Sequence, residues 1–303
     1  MKIYIGVTDY EWFCLLRSQN ANEVNFWQPN SDRNFKALRE GELFLFKLHA
    51  PRNFVVGGGV FTRQVTLPLS LTWDAFGINN GVHSRNEFIS RIKHYSNPDR
   101  QSIVDPTISS LILTSSFFLE ESQWIPVPKS WSANIVQGKT YSTEDDEGRF
   151  LFQAIQDKLQ IPYEMSGLED RFGTPTLITP RLGQGSFRVI VTEAYHKRCA
   201  ITGEKTLPVL DAAHIRPFAL EGPHAVPNGL LLRQDMHTLF DRGYLTINEN
   251  YIVEISKRIK EDYGNGKEYY AYHGKKLLVL PDRISEWPAR DFLQWHNEQI
   301  YVG

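Results

Sequence analysis

Cysteine is scarce in this chain: Cys14 and Cys199 are the only two among 303 residues, and they form no CxxC pair. Two cysteines so far apart argue against a disulfide framework and against a cysteine-rich zinc site, and they suit a reducing compartment. The first residues, MKIYIGVTDY, also lack the apolar core of a signal peptide. We therefore expect a cytoplasmic protein.

Long apolar runs, internal repeats and low-complexity tracts are missing as well. No apolar run approaches the roughly 18 residues that a membrane helix needs. The composition, 41% hydrophobic and 22% charged, is that of an ordinary globular protein. The length allows one large domain or two ordinary ones, and no membrane partner is expected.

Charge of either sign is in near balance, with a net charge of −2, but it is distributed unevenly. Residues 144–170 carry 2 basic and 8 acidic residues, whereas residues 181–260 carry 11 basic and 8 acidic residues. The acidity is therefore concentrated in a middle segment, and the slight basic excess after it is compatible with a polyanionic partner.

Hydrophobic patterning divides the chain into two domains and a linker. Short β-branched and aromatic runs such as KIYIGVT and ELFLFKL make residues 1–143 rich in strands, with helices such as RNEFISRIKHY between them. The GGG at 57–59 interrupts a strand pattern and predicts a bulge or a close backbone approach. Residues 144–180 are predicted to form an acidic helical linker, and residues 181–303 a second α+β domain.

The segment LDAAHIRPF places one titratable residue, His214, inside a strand that is otherwise ready for burial. Taken by itself, His214 would be explained as a core histidine that donates a hydrogen bond to a backbone carbonyl. However, MHTLFDRG follows, in which His237 and Asp241 are spaced i, i+4 and would share one helix face within reach of one cation. The loop residue Asn228 precedes the second strand, NGLLL.

The ordered set GQGSFRVIVTEAYHKRCAITGE, DAAHIRPF and NGLLLRQDMHTLFDRGY resembles the ββα-metal fold of HNH endonucleases of the restriction type. The resemblance covers roughly Arg181 to Ser256. It implies that His214 is the general base and that His237 and Asp241 bind a divalent metal. It further implies that Asn228 fixes the loop that orients the base.

One departure concerns the residue before the base, which is a metal-binding His or Asp in many HNH enzymes and is Ala213 here. Asp211 is the candidate for the missing ligand, although it could only hold the strand. An oxygen-rich, incomplete shell favours Mg²⁺ or Mn²⁺. Arg216 either contacts the scissile phosphate or forms a surface ion pair, and His224 is interpreted as exposed and incidental.

The N-terminal part resembles the β-barrel modules of the PUA superfamily (EVE, ASCH and SRA-like domains), some of which hold a flipped modified base. Element order and domain pairing carry this resemblance. It implies a PUA-like barrel with flanking helices, and an aromatic pocket wall for which Trp12, Trp27 and Trp73 are candidates. The aromatic segment around Trp27 would otherwise be a plug over a small barrel.

The sequence therefore predicts a modification-dependent endonuclease that cuts double-stranded DNA near a modified cytosine. Two alternatives stay open: an HNH nuclease that reads unmodified sequence or DNA structure, and a binding module whose HNH domain is degenerate. Because one HNH site nicks one strand, double-strand cleavage would suggest a homodimer.

Overall fold

The computed structural model describes residues 1–30, 34–159, 177 and 182–303. The chain separates into two compact units, Met1–Arg181 and Leu182–Gly303. Most of the predicted linker, from residue 160 to residue 180, lies outside the described residues, with residue 177 the exception. Both units mix helices and strands, so the predicted α+β class is confirmed.

The N-terminal unit is built around one sheet of long apolar strands. Its described strands are β1 (Lys2–Thr8), β2 (Glu23–Gln28), β3 (Leu43–Leu48), β4 (Phe54–Pro68), β5 (Thr107–Phe118), β6 (Ile125–Pro126) and β7 (Gly138–Ser142). Its described helices are α1 (Tyr10–Ser18), α2 (Leu69–Phe76), α3 (Arg85–Tyr95) and α4 (Asp146–Leu159).

The strands follow the order β2-β5-β4-β3-β1-β7, and β6 pairs with the start of β4. Strands β1 and β3 are parallel, and the other pairs are antiparallel. Among the described residues the end strands β2 and β7 do not pair, so the sheet does not close by hydrogen bonds into the barrel that the sequence predicts. The unit is an open mixed sheet with helices around it.

Strand β3 shows why the sheet is covered on both faces. All six of its residues are buried. Phe44 and Phe46 pack in one core with residues of α1, whereas Leu43 and Leu45 pack in a second core with residues of α4. Successive side chains point to opposite faces of a strand, and continuous apolar runs are typical of strands buried on both faces.

The glycines of β4 allow a close backbone approach. A Cβ atom on Gly57 would lie 2.4 Å from the carbonyl oxygen of Phe117, and one on Gly58 would lie 2.7 Å from that of Phe44. The pairing of β4 with β5 also shifts register between Gly58 and Val60. The bulge and close approach predicted from the GGG run are confirmed.

Helix α4, which begins in the acidic segment, belongs to the N-terminal core along one face. Leu151 and Ile155 are buried against Ile3 and Ile5 of β1. Its spacing of apolar residues matches a helix with one covered face and one solvated, acidic face. The segment that the sequence assigns to the linker thus starts with a helix packed on the sheet.

The C-terminal unit begins with a buried helix, followed by a hairpin and a second helix. Its described helices are α5 (Gln184–Ala194), α6 (Gln234–Asp241), α7 (Arg258–Tyr263), α8 (Lys267–Tyr270) and α9 (Arg290–Gln299). Its described strands are β8 (Leu210–His214), β9 (Gly229–Arg233), β10 (Leu245–Ile247) and β11 (Val253–Ile255). Strands β8 and β9 are antiparallel and pair His214 with Gly229, and β10 pairs with β11.

Helix α5 packs directly on the hairpin. A Cβ atom on Gly229 would lie 2.7 Å from Val191 and 3.0 Å from Phe187, so only glycine allows this approach. The hydroxyl of Tyr195, which is fully buried, donates to the carbonyl oxygen of Gly229. Helix α6 ends near Gly243, whose φ of 75° suits glycine.

In the part of the chain that the structure describes, no helix combines the length and the apolar character that a membrane span requires.

Candidate active site in the C-terminal unit

Strand β8 and helices α5 and α6 surround a cavity of about 440 Å³. Strand β8 contributes Asp211, Ala212 and His214, and helix α6 contributes His237 and Asp241. The remaining described residues that line it are Gln184, Phe187, Arg188, Ile215, Pro217, Phe218, His296 and Ile300. Four of the residues predicted from the sequence are therefore brought to one cavity.

The His214 ring is held on two sides. It stacks on Phe187 of α5, with ring centroids 3.9 Å apart and an angle of 13° between the planes. Its Nε2 shares a hydrogen bond of 2.9 Å with Nδ1 of His224. Burial, together with the neighbouring His224 and His237, lowers the pKa of His214 from 6.5 to about 4. The ring is therefore neutral near pH 7, as a general base must be.

Asn228 is completely buried and ties together the rim loop, residues 215–228, which connects β8 to β9. Its Oδ1 accepts from the backbone N–H of Arg216, and its Nδ2 donates to the carbonyl oxygens of Arg216 and Pro223, each at 2.9 Å. Three bonds to main-chain atoms fix the loop irrespective of its side chains. This geometry agrees with a loop-fixing role for Asn228.

His237 lies between two carboxylates. Its Nδ1 is 3.7 Å from Oδ2 of Asp211, and its Nε2 is 3.3 Å from Oδ2 of Asp241. Burial raises the pKa of Asp241; the nearby His237 opposes this shift, and the charge of Asp211 adds to it. A cation placed among these groups would relieve the repulsion between the two carboxylates.

The donor set fits Mg²⁺ or Mn²⁺ in kind, because it supplies two carboxylates and one imidazole beside an open cavity. Over the described residues, no three His, Cys, Asp or Glu side chains are grouped so that they could hold a metal ion as they stand. The carboxylates instead contact the two ring nitrogens of His237. Ala213, which occupies the position of the usual ligand, is fully buried.

Arg216 is engaged within the rim loop. Its Nε donates to the carbonyl oxygen of Leu220 at 2.6 Å, and its guanidinium lies 3.6 Å from Glu221 and 5.7 Å from the ring centre of Trp295. Of the described arginines, Arg188 lines the cavity and Arg216 does not. Arg188 was not predicted from the sequence, although it lies in the GQGSFR motif.

His224 was also missed, because its loop looked exposed. The structure stacks it on Phe218, with centroids 4.4 Å apart, and hydrogen-bonds it to His214. No local signal in EGPHAVPNG indicates this contact, since it depends on how the rim loop folds back over β8.

His296 is a second buried histidine with a lowered pKa. It stacks on Phe240, and its two nitrogens contact the hydroxyl of Thr246 and the carbonyl oxygen of Phe240. Burial lowers its pKa from 6.5 to about 4. Both polar contacts are satisfied by the neutral ring, so this histidine is structural.

A pH-dependent stability follows from His296. The unfolded chain takes up this proton near pH 6.5 and the folded chain only near pH 4. The unfolded state therefore binds more protons between these values, and the free energy of unfolding falls as the pH drops through this window. His296→Gln removes this proton uptake. We expect it to reduce the change in the free energy of unfolding by up to about 1.4 kcal/mol per pH unit, the value for one proton. Thermal melting from pH 4 to 7 measures it, and parallel slopes for both proteins would contradict it.

The N-terminal unit holds a cavity of about 550 Å³ that two of the three candidate tryptophans line. Trp12 is 4% exposed and packs edge-on against Phe26 and Phe46. Trp27 is half-buried, and its Nε1 donates to the carbonyl oxygen of Asn80 at 2.8 Å. The other described residues that line it are Tyr4, Val7, Thr8, Asp9, Phe26, Gln28, Pro29, Asn30, His49, Tyr95, Asn97, Val136 and Gln137.

Trp73 is placed elsewhere. It packs on Phe88 of α3, with ring centroids 6.0 Å apart, and it is not among the described residues that line the cavity. Trp27 contacts the same phenylalanine at 5.6 Å. The two tryptophans therefore share one packing partner and differ in access to the cavity.

Comparison with known proteins supports the assignment of the C-terminal unit. Residues 199–248 match the model of an HNH endonuclease family, HNH_2. This segment contains β8, β9 and α6, and with them His214, Asn228, His237 and Asp241. No curated protein matches the chain.

Two solved structures are similar to this chain at low TM-scores. The ASCH protein from Zymomonas mobilis has a TM-score of 0.34 and 9% identity, covering 50% of this chain and 94% of its own. The modification-dependent TagI restriction endonuclease has a TM-score of 0.28 and 13% identity, covering 92% of this chain and 76% of its own. The family match covers residues 199–248, and this chain therefore carries an HNH endonuclease domain.

Proposed function

We propose that this chain is a metal-dependent restriction endonuclease, working in the cytoplasm, that hydrolyses double-stranded DNA near a modified cytosine recognised by its N-terminal unit. The observation that carries the hydrolytic part is the cavity in which a neutral His214 faces two carboxylates and His237. Phosphodiester hydrolysis needs a base for the attacking water and a cation for the charge on the phosphate.

In this mechanism, His214 takes a proton from water, whose oxygen attacks phosphorus while the P–O bond to the leaving oxygen breaks. Asp211, His237 and Asp241 would hold Mg²⁺ or Mn²⁺, which supplies charge stabilisation at the phosphate when bound. Arg188, which lines the cavity, is placed to bind a phosphate oxygen, since guanidinium groups donate to phosphate in pairs. Arg216 is the second candidate for this contact.

The recognition part rests on the N-terminal cavity and its aromatic wall. A base that leaves the duplex loses its stacking, and aromatic side chains can replace it. Trp27 and Tyr95 line the cavity, and Tyr95 is 60% exposed. Asn30 and Asn97 also line this cavity and carry amide groups that suit the edge of a base, whereas the carboxylate of Asp9 caps α1 and pairs with Arg91.

Cleavage of matched plasmids tests this function. The full chain is incubated with Mg²⁺ or Mn²⁺ and with plasmid that carries either modified or unmodified cytosine. Cutting of the modified plasmid alone supports the proposal. Equal cutting of both supports a nuclease that reads unmodified sequence or structure, and binding without cutting under any metal supports a degenerate HNH domain. Nicks without linear product would argue against a homodimer that cuts both strands.

The recognition role of Trp27 is testable in a chain that cannot cut. In a His214→Ala background, we expect Trp27→Ala to weaken binding to modified duplex by about 10- to 100-fold, because a stacked base contributes roughly 1–3 kcal/mol. Binding to unmodified duplex should stay unchanged, since phosphate contacts carry it. Fluorescence anisotropy measures both affinities.

Trp73→Ala is the matched control, because Trp73 packs on the same Phe88 and does not belong to the described lining of the cavity. It should lower the melting temperature as Trp27→Ala does and leave the preference for modified duplex intact. If both variants lose the preference equally, the loss comes from the packing around Phe88, and the stacking role of Trp27 is refuted.

A further inference from the structure

His224 makes two directed contacts at the edge of the catalytic cavity. It stacks on Phe218, at 4.4 Å and 10°, although Phe218 is itself 64% exposed. Its Nδ1 lies 2.9 Å from Nε2 of His214, which in turn stacks on Phe187. The four rings form one row that runs from the exposed rim loop to the buried helix α5.

The rim loop that places His224 is itself fixed by Asn228. The Nδ2 group of Asn228 donates to the carbonyl oxygen of Pro223, the residue immediately before His224. Asn228 therefore acts on the site through the main chain next to His224. Asn228 thus influences the position of His214, the proposed base, through Pro223 and His224 and not through a contact of its own side chain.

Two neutral imidazoles can share this hydrogen bond in only two ways, because each ring has one N–H and one bare nitrogen. If His224 donates, the unprotonated Nε2 of His214 accepts this hydrogen bond, and Nδ1 of His214 carries the proton. If His214 donates from Nε2, its Nδ1 is bare. Only the second arrangement leaves His214 able to take a proton from water.

We propose that His224 is a positioning residue that accepts a hydrogen bond from Nε2–H of His214 and thereby keeps Nδ1 of His214 bare for catalysis. This inference rests on the proposed role of His214 as the base. When Nδ1 takes the proton, the O–H bond of water breaks, an N–H bond forms, and His214 becomes an imidazolium that still donates to His224. His224 stays neutral throughout, with its own proton on Nε2.

The surroundings of the pair are compatible with this arrangement. The charged or titratable groups that line the same cavity are Arg188 on α5, Asp211 on β8, and His237 and Asp241 on α6, with His296 on α9. Asp211 and Asp241 contact the nitrogens of His237. The two carboxylates thus contact His237, whereas His214 is hydrogen-bonded to His224.

The experiment measures the tautomer of His214 directly, in the full chain without DNA or metal. Nitrogen-15 NMR of histidine-labelled protein distinguishes Nε2–H from Nδ1–H, and loss of a signal in His214→Gln assigns it. We expect the Nε2–H form in the natural sequence and in His224→Asn, whose side-chain oxygen can replace Nδ1 as acceptor. In His224→Leu, which fills similar space without an acceptor, the two tautomers should mix.

Cleavage kinetics complete the test. We expect His224→Leu to lower kcat by about tenfold with KM unchanged, and His224→Asn to recover most of the loss, as for other partners that orient a reacting ring. His196→Leu, at an exposed histidine of the same unit paired with Asp282, is the control and should cleave normally. An Nδ1–H form of His214 in the natural sequence, or equal kcat for the Leu and Asn variants, would overturn the inference. A fully active His214→Ala would instead overturn the proposed base, whatever the tautomer.

Discussion

Replacing His214 with alanine is expected to lower the rate of DNA cleavage by about 10²- to 10⁴-fold, the usual contribution of a general base. The ring lines the cavity, is neutral near pH 7 because burial lowers its pKa to about 4, and is held by Phe187 and His224. Without it, the site loses the imidazole that takes the proton from the attacking water. Single-turnover cleavage of labelled duplex at saturating metal measures the loss.

The loss must be separated from damage to the fold. His196→Ala removes the same side chain from the surface of the same unit and should cleave as the natural sequence does. DNA binding by His214→Ala should also be retained, because phosphate contacts do not depend on the base. Cleavage by His214→Ala within about threefold of the natural sequence would be far below the loss expected of a general base and would refute the assignment.

The second large effect concerns the groups around His237. His237→Ala and Asp241→Ala are each expected to raise the Mn²⁺ concentration for half-maximal cleavage by about 100-fold or more, since even indirect partners of a metal ligand contribute 10- to 100-fold. Asp211→Asn should act in the same direction, because its carboxylate contacts the same imidazole 3.7 Å away. Titrations of cleavage against Mn²⁺, with direct Mn²⁺ binding by electron paramagnetic resonance, measure the shift.

Glu221→Gln is the control for these variants, because it tests whether the loss of any negative charge near the site changes the Mn²⁺ dependence. Glu221 is an exposed carboxylate of the rim loop that faces Arg216. It should leave the Mn²⁺ dependence unchanged. If the titration curve of Asp241→Ala coincides with that of the natural sequence, Asp241 is a residue of the helix end and binds no metal.

The sequence predicted the elements of the site because each depends on local pattern. Strand β8 follows from an apolar run that ends at Arg-Pro, and α6 follows from the spacing of His237 and Asp241 and from the glycine that ends it. Once these elements were assigned, the resemblance gave them their order. The structure adds the cavity that brings them together.

The residues that were missed act through contacts that local pattern does not encode. His224 reaches His214 because the rim loop folds back, and that path depends on three bonds from Asn228. Arg188 reaches the cavity because Gly229 lets α5 lie close to β9. Helix α4 was assigned to a linker by its acidity, whereas its apolar face packs on β1.

The way Asn228 holds the rim loop also defines how this enzyme can be re-engineered. All three of its bonds go to main-chain atoms, so the loop keeps its path when its side chains are exchanged and loses it when a residue is inserted or deleted. Gly222 is the exception, because a Cβ there would lie 1.8 Å from the carbonyl oxygen of Arg216. A combinatorial library that holds loop length, Gly222, His224 and Asn228 constant would therefore sample new surfaces for DNA around an unchanged catalytic geometry.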